Sequence, residues 1–68
     1  MSTMTNTNDV SWLSTGAVAE RYGVPEATVR KWRIQGTGPL GVRLGKHVRY
    51  SVVELERWER DQVAKQAS

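Results

Sequence analysis

Sixty-eight residues with no cysteine and one histidine make one small domain that no disulfide can staple and that has too few ligands for a zinc site. A chain this short buries only about 60% of the surface its unfolded form exposes. Its core must come from three Trp, two Tyr and the aliphatic residues, with the tryptophans expected to supply most of the large buried area.

The net charge of +3 hides an uneven distribution. Residues 1–20 sum to −2, residues 21–50 set seven Lys or Arg against Glu26 alone for +6, and residues 51–68 sum to −1. A +6 segment this short points to a polyanionic partner rather than to an ordinary solvated surface. No apolar run approaches the roughly 18 residues of a membrane span, and "MSTMTNTND" lacks the charged and apolar regions of a signal peptide. The chain therefore reads as cytoplasmic, without a membrane partner. Residues 1–10 have little to bury and read as a disordered tail.

In chain order, Ser14 is placed to cap a first helix over Thr15 to Tyr22, with Ala17, Val18 and Tyr22 along one side. Gly23 ends it, as a residue that tolerates a left-handed backbone. Pro25 suits the first turn of a second helix, which runs to about Gln35. "GTGPLG", Gly36 to Gly41, is a loop. "VRLGKHVRY" then reads as a two-stranded hairpin around Gly45. Two registers are open. A two-residue turn at Gly45-Lys46 pairs Leu44 with His47 and mixes apolar with basic residues on one face. A three-residue loop pairs Leu44 with Val48 and Val42 with Tyr50, leaving Arg43, His47 and Arg49 on the other face. Segregation of apolar residues favours the second. Ser51-Val52-Val53-Glu54 fits a capping box opening a third helix, in which Leu55 and Trp58 share a face. Glu56 with Arg60 and Asp61 with Lys65 form i,i+4 pairs on its charged side. The folded domain is expected over residues 11–64, with 65–68 as a tail.

Ala19, Gly23 and Val29 stand at the spacing of a helix-turn-helix unit, and Val18, Tyr22, Val24 and Trp32 fill its apolar positions. A generic helical hairpin also needs small and apolar residues, but not at seven agreeing positions. With Val29 and Trp32 inward, the second helix turns Glu26, Ala27, Arg30, Lys31 and Arg33 outward, with Thr28 near its start. A helix fits the major groove of B-DNA, where Arg and Lys reach guanine edges or phosphates. Arg30 is the leading candidate for base contact, Lys31 and Thr28 for base or backbone, and Arg33 for phosphate. The hairpin adds Arg43, Lys46, His47 and Arg49 as a wing that follows the backbone or enters a minor groove. His47 reads equally well as an exposed hairpin residue. The expected fold is thus α+β, a small winged helix-turn-helix, with double-stranded DNA as partner.

The residue types speak against catalysis. There is no cysteine nucleophile, no acid beside His47 to orient it, and no serine with a partner pattern. Glycines 36, 38 and 41 are not followed by the Lys-Ser or Lys-Thr of a phosphate-binding loop. No cofactor or small-molecule ligand is expected.

Over Trp12 to about Trp58 the chain resembles the winged-helix domains related to the MerR DNA-binding domain. More narrowly, it resembles the excisionases of phages and mobile elements. The carriers are "LSTGAVAERYGV", "TVRKW", Gly36 and "VRLGKHVRYSVVEL". The resemblance implies a recognition helix in the major groove, wing contacts to a minor groove, and head-to-tail cooperative binding on repeated sites. It also implies DNA bending that turns a phage integrase toward excision. MerR-type regulators usually append a long dimerisation helix and an effector domain, whereas about ten residues follow Trp58 here, which favours the excisionase. A small transcription regulator of the same fold, or a module anchoring a DNA-packaging machine, are the alternatives. One departure is Pro25, where the family often has Ser or Thr, so the recognition helix loses a side-chain cap worth about 1 kcal/mol.

Overall fold

The computed structural model describes residues 11–67; the tail expected at residues 1–10 lies outside them. The elements are β1 (Trp12–Leu13), α1 (Thr15–Tyr22), α2 (Glu26–Gln35), β2 (Gly41–Leu44), β3 (His47–Ser51) and α3 (Val52–Ala67). Three helices against a small antiparallel sheet make the expected α+β winged helix-turn-helix.

Local chemistry sets the first two helices. The Ser14 Oγ accepts from the Ala17 amide at 3.1 Å, which caps α1. Gly23 follows at φ 66°. Its amide donates to the Glu20 carbonyl at 3.2 Å while that of Val24 donates to Ala19 at 3.0 Å, a paired C-terminal closure that needs the left-handed residue. Pro25 stands one position before the first turn, at the cap whose side-chain bond the resemblance expects to be lost. With ψ at 150° it is extended and occupies the cap of α2, without a side-chain hydrogen bond. Its carbonyl takes the Thr28 and Val29 amides, so the helix starts at Glu26.

Val18, Ala19, Val29, Tyr50 and Leu55 form the buried core. The expectation for the tryptophans is corrected: Trp12 is exposed, and Trp32 and Trp58 are only half-buried. Indole N–H groups need partners, which holds these rings at the boundary. The Trp58 Nε1 donates to the Thr37 carbonyl at 3.2 Å. Its ring centroid lies 5.3 Å from that of Trp32 and 5.5 Å from that of Tyr22, so one aromatic cluster fastens α1, α2 and α3 together.

Beside that cluster, the Glu59 carboxylate accepts from Arg21 Nε and from the Tyr22 hydroxyl, each at 2.7 Å. The Arg21 hydrogen bond, then that of Tyr22, holds Glu59 below its usual range. Burial, reinforced by the Glu59 carboxylate, pushes the Tyr22 phenol up to about 12. A depressed carboxylate contributes stability above its unfolded value near 4.5 and loses it as the pH falls further. A raised phenol makes the fold lose stability as the pH climbs from 10 toward about 12. About a third of each Arg21 and Glu59 side chain is solvent-accessible, so the ion pair is screened. Glu59→Gln is expected to lower stability at pH 7 by about 0.5–1 kcal/mol and to shrink the acid loss below pH 4.5. Urea midpoints measured against pH check this, and an acid limb identical to the parent's would refute it.

The sheet has three strands in the order β1-β3-β2, not the two of the expected hairpin. β1 pairs antiparallel with β3, Trp12 opposite Ser51 and Leu13 opposite Tyr50, and the Val52 amide donates to the Ser11 carbonyl at 3.0 Å. The hairpin register is also corrected. Leu44 pairs with His47, Arg43 with Val48, Val42 with Arg49 and Gly41 with Tyr50, around a two-residue turn at Gly45-Lys46. Tyr50 is the physical reason. Its ring is 1% exposed and lies so close to Gly41 that a Cβ there would stand 2.9 Å from Cε2. The favoured register would have set Val42 across from it. Gly45 at φ 66° supplies the left-handed residue that tight hairpin turns require.

In α3 the Ser51 Oγ accepts from the Glu54 amide at 3.4 Å, the serine half of the expected capping box. Asp61 and Lys65 pair at 3.3 Å. No Glu56–Arg60 ion pair is present among the described residues; Glu54 and Arg57 approach to 3.7 Å. The helix continues past position 64 to Ala67.

Candidate nucleic-acid interface

α2 buries Val29 and half-buries Trp32, which turns the opposite side to solvent as the period of 3.6 requires. Arg30, Lys31 and Arg33 are exposed there, and Thr28 is half-buried in the first turn. Arg30 is not free: its Nη2 donates to Glu26 Oε1 at 2.6 Å, one helical turn back. The Glu26 carboxylate in turn sits in a notch left by Gly16 of α1, where an added Cβ would lie 2.8 Å from Oε2. The sequence alone marks Glu26 as the one acid in a basic segment and as an outward-facing residue of the helix. The i,i+4 spacing of Glu before Arg was the available signal; the Gly16 notch is tertiary and had none.

Arg33 leans away from that stripe. Its Cδ is 3.3 Å from where a Gly41 Cβ would stand, so its stem lies along the start of β2. It therefore bridges the recognition helix and the wing.

Within the wing, Arg43, Lys46 and His47 are exposed and Arg49 is half-buried. Directly opposed residues share a face, so the observed register sets His47 and Arg49 with Val42 and Leu44, and Arg43 with Val48. The single basic face expected of Arg43, His47 and Arg49 is thereby corrected. Cations project from both faces, and Lys46 occupies the turn. The Arg49 Nη1 donates to the Val48 carbonyl at 2.8 Å, which folds its guanidinium back on the strand.

Several exposed apolar side chains near these cations escaped the sequence reading. Ile34 is 77% exposed on α2, and Leu40 and Leu44 are exposed in the loop and wing. Amphipathic counting assigns apolar residues to the core by default, so it gave no signal for them.

Among the described residues no cluster of three or more metal-ligating side chains occurs, and no helix is long and apolar enough to cross a membrane. The arrangement offers a cationic helix of groove-filling diameter and a cationic ribbon joined through Arg33, a geometry suited to a duplex backbone and its base edges. No match was found among curated proteins or among solved structures. A family model described as a helix-turn-helix domain matches residues 12–63, a span that holds α1, the Gly23 turn, α2 and the wing. On that match and this geometry, the chain belongs to the helix-turn-helix domain family of DNA-binding proteins.

Proposed function

We propose that this chain is a sequence-specific architectural DNA-binding protein of the excisionase kind. It binds repeated sites cooperatively, bends the duplex and directs an integrase toward excision, acting in the cytoplasm without catalysis or a cofactor. The carrying observation is the continuity of positive side chains from the outward face of α2, through Arg33 against Gly41, into the wing. In this reading Arg30 takes a guanine edge, and Lys31 and Thr28 meet bases or the adjoining backbone. Arg33 takes the phosphate between helix and wing. Arg43, Lys46 and Arg49 follow the neighbouring backbone and minor groove, with His47 at the ribbon's edge. One helix and one wing bury only about 600–1,000 Å² of protein surface, so one copy discriminates modestly. Neighbouring copies, head to tail, or the integrase supply the rest.

Selection of bound fragments from the source genome, followed by footprinting, tests this. Tandem direct repeats beside an integrase attachment site are the expected result. Protection confined to a promoter would replace it with the second reading, a small transcription regulator of the same fold. Absence of any enriched fragment would overturn DNA recognition. If about five cations meet phosphate, log affinity falls against log salt with a slope near −4 to −5; a flat response in a salt titration would remove the electrostatic basis.

A further inference from the structure

The outward stripe of α2 is not purely cationic. Ala27, Arg30, Lys31 and Ile34 stand at successive spacings of three, one and three residues, which places them on one helical face. All four are exposed. Together with Gln35 they line a shallow, largely apolar depression. Ile34, 77% exposed, contributes little to the fold for an aliphatic side chain of its size.

Resting on the DNA-binding reading above, we infer that Ala27 and Ile34 read thymine 5-methyl groups on either side of the guanine taken by Arg30. In the major groove the thymine methyl is the apolar feature of the base edges, and small aliphatic side chains discriminate it by contact. The helical rise separates Ala27 from Ile34 by about 10.5 Å. That is roughly three base-pair steps at 3.4 Å each, with Arg30 between them. The two cations in the middle of the stripe select this occupant over an apolar protein surface, because covering Lys31 and Arg30 with apolar groups would strip their hydration without supplying an anion. Ala27 and Ile34 are therefore specificity determinants, and the site they read is a guanine flanked by thymine within about three base pairs.

Exchanging thymine for deoxyuridine, one position at a time in the selected duplex, removes only the methyl. Affinity is expected to fall about fourfold at each contacted position, the effect of one buried methyl at ~0.8 kcal/mol. Ile34→Ala and Ala27→Ser should each abolish the thymine-over-uracil preference at one of those positions; both residues lie outside the core. Binding that is equal for thymine and uracil at every position would overturn the inference and leave the DNA-binding reading standing. So would an Ile34→Ala protein that loses affinity for all duplexes alike while keeping the thymine preference, which would mark Ile34 as a contact between proteins. Failure to bind any duplex would overturn both.

Discussion

Arg30→Ala is expected to bind DNA with its base preference flattened. The best site should lose about five- to 150-fold in affinity, the 1–3 kcal/mol of one good bidentate contact. A scrambled duplex of equal length should lose far less. Competition binding on the two duplexes reads this directly, and an unchanged ratio of the two affinities would remove Arg30 from base recognition. The structure adds a partner to the expectation. Glu26 Oε1 takes one Nη2 proton of Arg30, and a guanidinium has five donors in a rigid fork. The ion pair thus holds one edge of the fork while leaving other donors for the proposed guanine contact.

The same pair also sets what Glu26 does. Glu26→Gln removes a negative charge from the start of the recognition helix, so affinity for any duplex should rise. If Glu26 orients Arg30, the ratio of specific to non-specific affinity falls at the same time. If it merely repels phosphate, both affinities rise together and the ratio holds. The pair is exposed on both sides, so its effect on stability is small and a change in this ratio reports recognition.

What the sequence made legible follows from the range of the forces involved. The cap at Ser14 and the left-handed closure at Gly23 are decided within one helical turn, and both were readable. The outward face of α2 was readable because burial of Val29 and Trp32 leaves the 3.6-residue period only one solution. Pro25 could be read at the cap or in the first turn because its fixed φ suits both; only ψ separates them. β1 escaped because two residues cannot show alternation. The tryptophans were misjudged because size was taken for burial, whereas the hydrogen bond from Trp58 to the Thr37 carbonyl keeps its ring at the boundary. The contacts that shape the interface, Glu26 in the Gly16 notch and Arg33 along Gly41, join residues distant in sequence. No local pattern encodes either.

The hairpin register failed for a related reason, and it carries the second large prediction. Gly41→Val is expected to cost about 2–3 kcal/mol, the upper range for overpacking a closed site. Two atoms of the Tyr50 ring lie within 3.0 Å of the added Cβ, and that ring, 1% exposed, has no room to retreat. A small domain with about 5 kcal/mol of stability would keep most molecules folded after this loss, so DNA binding remains measurable. The wing would be displaced where β2 begins. Affinity should therefore fall by a similar factor on every sequence, without the change in base preference expected of Arg30→Ala. Gly45→Asn is the contrast: that glycine has φ 66° and open space around it, and asparagine tolerates the left-handed region. Its cost should stay below about 1 kcal/mol. Chemical denaturation of both variants decides the register. If Gly41→Val costs no more than Gly45→Asn, the Tyr50 ring does not lie over Gly41. The apolar alternation that pairs Val42 with Tyr50 would then describe the wing better.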